Sequence, residues 1–396
     1  MRPRKRAGAL LLGAGVLFLI GTSVKAGWLL VIAALLVGAT VAGFLLSVSA
    51  LRGLSASLVV PEEAEQGVQA LAELRLVNRS RSTRWNVVAI DRHLAPAEVL
   101  VPAVRPRERV ELATLRITAR RGEIVTSSVE LRSSAPFGVA QRRLRVPVQA
   151  RTLVLPRMFP LGMLPFVEPV PTNEPATRTA PRRGHGPDYL GVRDYRTGDS
   201  MRHVHWGLTA RHGQVMVREF EEERTRRVAI ALDTERDRGE TWTPLDRACA
   251  AAASIADAAG AHGHGSRLIA AMPDGEIDIL ARADLHEQLR WLARLAPSGV
   301  SLAATLDRLG SDDLRGVETL VLLAPAWPGT PADGLAAAVR SLTDRLARVV
   351  GVTIAVADDV EPADGLARSL GAAGVDARPW GLDADLAEVL VAEPVR

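Results

Sequence analysis

The chain has almost no lysine, one cysteine and little aromatic character. Lys5 and Lys25 are its lysines, Cys249 is its one cysteine, and Phe, Trp and Tyr together make up 4%. One cysteine forms no internal disulfide, so no disulfide framework organises the fold. Cys249 lies in the small-residue run 248–253 and reads as a small buried helix residue. Arginine carries nearly all the positive charge, a bias that points to a GC-rich genome rather than to chemistry. Hydrophobic residues at 47% and charged residues at 24% are ordinary for a globular chain and exclude a disordered or collagen-like one.

A pI of about 9.9 invites a nucleic-acid reading, which the distribution of charge removes. Residues 1–181 carry 24 basic and 12 acidic side chains, residues 182–227 carry 10 and 7, and residues 228–396 carry 15 and 26. The basicity is at the N-terminal end, as expected of a segment drawn to anionic lipid headgroups, and the C-terminal part is acidic. No nucleic-acid groove follows from this.

Arg2, Arg4, Lys5 and Arg6 precede an apolar stretch from Ala7 to Val24, and after Lys25 a second, uncharged stretch runs from Ala26 to Leu51. A spanning helix needs about 20 apolar residues. The first stretch has the basic start of a signal peptide, but the chain turns straight back into hydrophobic sequence with no small-residue cleavage site before a polar segment. The expectation is a transmembrane helical hairpin over 1–54. By the positive-inside rule the N-terminus faces the cytoplasm, and two crossings return the chain there at Arg52. The protein is therefore expected in the cell membrane, multi-pass with two helices, its soluble domains facing the cytoplasm.

Residues 55–155 alternate with period two. Leu71–Val77 and Leu144–Val148 show it, as do Val110 with Leu112 and Leu115 with Ile117, with a one-residue slip between those pairs that reads as a bulge. Turn residues separate the runs at Asn78-Arg-Ser80, Arg121-Gly122 and Pro136-Phe-Gly138. The pattern points to an all-β sandwich of the immunoglobulin-like kind, with no catalytic group in view. A connector over 156–187 holds eight prolines (156, 160, 165, 169, 171, 175, 181 and 187), which exclude regular helix and central strand.

The segment over 188–227, with the residues just before it, concentrates His185, His203, His205 and His212. His203 and His205 at strand spacing suit a metal, but no third ligand follows at a recognised spacing. Asp199, Ser200 and His205 hint at a hydrolytic triad, without a nucleophile elbow. A third reading is a hydrogen-bonded knot in which guanidinium groups pair with Asp194, Asp199 and Glu219 around Trp206.

The run Arg193, Tyr195, Gly198, Asp199, Arg202, Val204, His205, Trp206, Thr209, Ala210, Arg211, continuing to Glu223, resembles the signature of the family known as domain of unknown function 58. That signature has the form R-x-Y-x-x-G-D-x-x-R-x-I/V-x-W-x-x-[ST]-A-R, and every fixed position matches. The turn at Pro136–Gly138, the approach Val154–Arg157 and the order of segments resemble the family as well. The resemblance implies a membrane protein with a von Willebrand factor A-like domain, working with a MoxR-type AAA+ ATPase and with transglutaminase-like membrane proteins. It implies no established reaction.

The last part, 228–396, carries strand and helix in alternation. Val228–Leu232 is a continuous apolar run ending at Asp233, as in a buried parallel strand. An Ala-rich helix follows over Pro244–Ala261. Further strands are expected at Leu268–Met272, Thr319–Leu323 and Val349–Ala355, with helices at Asp284–Leu295 and Gly334–Leu346. This predicts a doubly wound α/β domain, von Willebrand factor A-like by the resemblance, with ligands at the carboxyl ends of its strands. There the A-type pattern would hold a divalent cation in a D-x-S-x-S loop. Here the loop is Asp233-Thr-Glu235-Arg-Asp237, both serines replaced by acids, and Leu323-Ala-Pro325 offers no carboxylate. The metal site Asp233, Glu235 and Asp237 looks degraded, and a divalent cation is the one cofactor it leaves open. The functional expectation is a non-enzymatic, membrane-anchored adaptor or assembly factor whose acidic domain docks an AAA+ ATPase. The alternative is a membrane-tethered metal-dependent hydrolase using His203 and His205.

Overall fold

The computed structural model describes residues 2–3, 5–135, 138–167, 183–195, 204–221, 227–281, 283–329, 333–343 and 346–392. Two compact units divide the chain: Met1–Arg157 with Gly239–Trp242 and Leu289–Leu295, and Met158–Arg238 with Thr243–Gln288 and Ala296–Arg396.

In the first unit, α1 (Lys5–Val24) and α2 (Gly27–Ser49) form a hairpin. By length and composition both are long and apolar enough to cross a membrane. Lys25 takes φ +54° at the turn. A Cβ on Gly21 would meet Leu29 Cβ and Leu30 Cδ2 at 3.0 Å, so glycine there lets the two helices approach. Large apolar side chains such as Leu12, Leu19, Leu35 and Leu45 face outward along the hairpin.

Strands β1 (Arg2–Pro3), β2 (Leu54–Val59), β3 (Glu63–Glu65), β4 (Ala70–Asn78), β5 (Arg84–Ile90), β6 (Leu94–Ala95), β7 (Glu98–Val104), β8 (Arg109–Arg116), β9 (Gly122–Ser133) and β10 (Ala140–Leu155) build two sheets. One has the order β1-β10-β9-β5-β7 with β3 parallel to β10, and the other the order β2-β4-β8-β6. Their inner faces share one core, with Leu74, Leu76, Val87, Val129 and Leu131 at its centre. Along β4 the alternation holds: Ala72, Leu74 and Leu76 are buried while Leu71 is 72% exposed.

The bulge expected between Leu112 and Leu115 is absent. β8 pairs with β4 in one continuous register from Arg109 to Arg116. The period carries on through polar residues, because Thr114 and Arg116 are the buried positions that follow Leu112. Arg116 is fully buried, donating Nη1–H to Thr126 Oγ1 (2.9 Å) and Nη2–H to the Ile124 carbonyl (3.1 Å). The register shift instead lies in the pairing of β9 with β10, between Pro147 and Ala150, where proline has no N–H to give.

In the second unit, β11 (Arg183–Asp194) and β12 (Met216–Glu221) pair antiparallel around the short helix α3 (Trp206–His212). Pro187 falls inside β11, at the register shift between Gly184 and Tyr189, where a two-stranded ribbon tolerates a missing donor. The larger sheet uses β13 (Arg227–Leu232), β14 (Gly265–Ala271), β15 (Ile277–Ala281), β16 (Val317–Ala326), β17 (Arg348–Ala355) and β18 (Asp376–Trp380) in the order β15-β14-β13-β16-β17-β18. All its pairings are parallel except β15 with β14.

The helices are α4 (Pro244–Ala261), α5 (Leu285–Arg294), α6 (Leu302–Asp307), α7 (Asp333–Thr343), α8 (Glu361–Ala372) and α9 (Leu386–Val391). Ala229, Ala231, Leu320 and Leu322 pack with residues of α6, α7 and α8. Ile230, Leu232, Val321 and Leu323, of the other parity, are just as buried, and α4, which touches β13, β14, β16 and β17, covers them. Helices on both faces are why these strands read as unbroken apolar runs. Thr243 and Asp246 form a capping box at the start of α4, with Pro244 at its first turn.

Candidate functional site

Strands β13, β16 and β17 end on the same edge of the sheet, and the loops that follow them, with the start of α6, enclose a cleft of about 980 Å³. Asp233 is on its floor. Its Oδ1 accepts from the Glu235 amide at 2.9 Å, and the Leu302 amide also bonds it. Burial pushes the carboxyl up from 3.8 to about 6, the Glu235 carboxylate adds to the rise, and the two amides and Arg236 oppose it.

The rest of the loop divides its labour. Thr234 donates to the Ala271 carbonyl (2.7 Å) and pairs with Ser298 Oγ (2.9 Å), fixing the turn from beneath. Asp237 accepts from Thr243 Oγ1 (2.9 Å) and from the Leu245 amide (3.2 Å), so its carboxylate serves the start of α4. Asp233 and Glu235 therefore line the cleft and Asp237 does not. Among the described residues no group of three His, Cys, Asp or Glu side chains stands where it could hold a metal ion.

What the loop does present is a guanidinium. Arg236 Nε lies 3.2 Å from Glu235 Oε1, and its guanidinium carbon lies 5.5 Å from the centroid of the Trp327 ring. Trp327 adds an aromatic wall, and Asp359, Glu361 and Arg368 complete the charged lining. Sequence reasoning missed these four, because they come from loops after β16 and β17 and from α8. A tryptophan one residue past the end of a buried strand was the available signal.

The signature forms a second, separate feature. Val204 and Val217, each 4% exposed, bridge across it. His205 is the N-cap of α3, its Nδ1 accepting from the Leu208 amide at 3.2 Å, while its own amide donates to the Met216 carbonyl. Thr209 Oγ1 accepts from the Met216 amide at 3.0 Å. Gly213 closes the helix at φ +69°, donating to the Thr209 carbonyl. Tyr195 is tied by its amide to the Val215 carbonyl (2.8 Å) and is 39% exposed. Trp206 is 65% exposed, and the knot expected around it rests largely on Asp199 and the Glu219 side chain, which lie outside the described residues. Ala210 and Arg211 are also exposed on α3. Gly198, Asp199, Arg202 and His203 lie outside the described residues, as do the side chains of Arg193 and Glu219.

The fold and these features define a chain with two apolar N-terminal helices, a two-sheet β domain and an α/β domain whose strand ends hold a charged cleft. Residues 191–373 match the family model described as "Protein of unknown function DUF58", which supports assignment to that family. No curated protein matches the sequence. Among solved structures, the GH20 exo β-N-acetylglucosaminidase of Vibrio harveyi in complex with N-acetylglucosamine shares 9% identity and a TM-score of 0.21, over 83% of this chain and 82% of that one. An inactive variant of the same enzyme gives 11% and 0.20 over the same shares. Scores this low carry no argument about fold or activity.

Proposed function

We propose that this protein is a membrane-anchored adaptor or assembly factor that docks a protein partner, an AAA+ ATPase of the MoxR type. The observation that carries the reading is the signature turn. His205, Thr209 and Gly213 are spent on holding its backbone, and the residue so held, Trp206, is turned to solvent. Tryptophan is enriched among the residues that dominate protein interfaces, and a braced turn presents this one with little conformational entropy to lose on binding. In this reading the apolar hairpin spans the membrane with the soluble domains in the cytoplasm. The β domain is an immunoglobulin-like sandwich acting as spacer, and the α/β domain is von Willebrand factor A-like.

The test is crosslinking in cells and affinity capture of the full-length protein, with eluted partners identified by mass spectrometry. Recovery of an AAA+ ATPase, lost in Trp206→Ala while the variant stays folded, supports the adaptor. If no specific protein is captured, the reading fails.

A further inference from the structure

We propose that the cleft at the carboxyl edge of the α/β sheet binds a basic side chain, arginine or lysine, offered by an extended segment of the partner protein, and that Arg236 is the internal group this side chain displaces. The inference rests on the adaptor reading only in that the occupant is a protein.

Three observations support it. First, the lining sets four carboxylates, Asp233, Glu235, Asp359 and Glu361, against two guanidinium groups, Arg236 and Arg368. The cleft thus has an excess of negative charge, within a domain that is itself acidic, with 26 acids against 15 arginines over residues 228–396. A concave acidic surface concentrates field lines and steers cations towards it. Second, the cleft contains the aromatic surface such a cation needs. Trp327 lies in its wall, and tryptophan is the strongest aromatic partner for a guanidinium or ammonium. Third, the recognition is already made once within the chain. Arg236 is stacked towards Trp327 and ion-paired with Glu235, yet its side chain is 48% exposed. Swinging it away uncovers the ring and frees the carboxylate without opening the core.

The cavity, at about 980 Å³, is much larger than one arginine side chain, leaving room for the residues that flank it in a peptide. Asp233 gives the incoming cation a second carboxylate. Its carboxylate is held by two amides and disfavoured by burial, and the incoming cation supplies the attraction that Arg236 gives up.

The test uses full-length protein in detergent micelles and a fluorescein-labelled hexa-arginine peptide, read by fluorescence anisotropy at roughly physiological salt, where exposed charges are screened beyond about 8 Å. A hexa-glutamate peptide controls for sign. Removing the aromatic in Trp327→Ala is expected to weaken binding about fivefold to tenfold, and Glu235→Gln weakens it as well. Arg236→Ala tightens it by a similar factor, while Arg238→Ala, the same charge change on an exposed residue of the same loop outside the cleft lining, leaves it within about twofold. The proposal is overturned if hexa-arginine does not bind, if Trp327→Ala and Glu235→Gln bind it unchanged, or if Arg238→Ala tightens as much as Arg236→Ala, since bulk charge would then explain the affinity. Capture of the ATPase by Trp327→Ala at full yield, beside these failures, would sink the cleft and leave the adaptor reading standing.

Discussion

The guanidinium of Arg247 lies 4.2 Å from the centroid of the Trp380 ring and donates to three backbone carbonyls, those of Ala355, Trp380 and Gly381. Arg247 is on α4, while its acceptors lie at the end of β17, at the end of β18 and just beyond it, so one side chain ties the helix to two strands. It is 1% exposed, and burial lowers its pKa to about 10, leaving it charged at neutral pH. Arg247→Leu strands three buried carbonyls and is expected to lose about 3 kcal/mol or more. Arg247→Lys keeps a charge but not the planar fork, and loses about half as much. Urea unfolding of the full-length protein in detergent, monitored by circular dichroism, reads both; equal stability of Arg247→Leu and wild type would refute the tie.

Arg116 makes the matching prediction in the β domain. It replaces a hydrophobic residue at an inward-facing position and feeds Thr126 Oγ1 and the Ile124 carbonyl. Thr126 Oγ1 in turn lies 3.4 Å from the Asp91 carboxylate. Arg116→Met is apolar and similar in length, so the loss is that of the polar partners, about 2–4 kcal/mol. An unchanged midpoint in the same unfolding experiment would mean that the network contributes nothing net.

Arg116 also shows where the sequence stopped being legible. Hydrophobic alternation breaks after Leu112, which suggests a bulge, while a buried threonine and arginine keep the period. Elsewhere legibility followed physical contrast. The hairpin, β13, β16 and β17 are long apolar runs, and α4 announces itself through Thr243, Pro244 and Asp246. Beyond Ala355 the contrast fades. Helix α8 contains Gly365 and Gly371, and β18 reads Asp-Ala-Arg-Pro-Trp, an edge strand whose Pro379 and charges hide it from any pattern. The candidate cleft was visible only through the loop that opens at Asp233 and holds Glu235 and Arg236, at the end of an obvious strand. Its other charged groups and Trp327 meet through topology, which composition and spacing do not encode.

The signature turn separates structure from recognition by two neighbouring residues. His205→Ala removes the acceptor for the Leu208 amide and is expected to cost about 1 kcal/mol, with His205→Asn restoring most of it. Trp206→Ala, at an exposed position, is expected to change stability by less than about 0.5 kcal/mol while abolishing partner capture. Comparable unfolding losses for Trp206→Ala and His205→Ala would show Trp206 to be a structural residue and remove the reason to expect an interface there.

Membrane orientation is decided by charge. Arg2, Arg4, Lys5 and Arg6 precede the first apolar helix, and Arg52 follows the second. Basic residues are retained on the cytoplasmic side, so an alkaline phosphatase reporter fused after Arg396 is expected to be inactive and a green fluorescent reporter at the same site to glow. The converse pattern would place the soluble domains outside and rule out a cytoplasmic ATPase as direct partner.

Asp233 links the cleft to pH. Its carboxyl is pushed up from 3.8 to about 6 in the folded chain, so the folded state holds the proton more tightly than the unfolded state does. Its contribution to stability is greatest below about pH 4, declines as pH rises towards 6, and is fully lost above that, a span of at most about 3 kcal/mol. Asp233→Asn removes the ionisation. The variant is expected to be more stable than wild type at pH 7 by about 1–3 kcal/mol, the upper figure being reduced by the weaker acceptor it offers the two amides, with the advantage disappearing by about pH 4. The difference between the two proteins follows the Asp233 ionisation. A difference that stays constant from pH 4 to 7 would show that Asp233 ionises normally. A carboxylate kept charged at such a cost at neutral pH has a use for a cation, and loss of hexa-arginine binding in Asp233→Asn is the functional counterpart of its gain in stability.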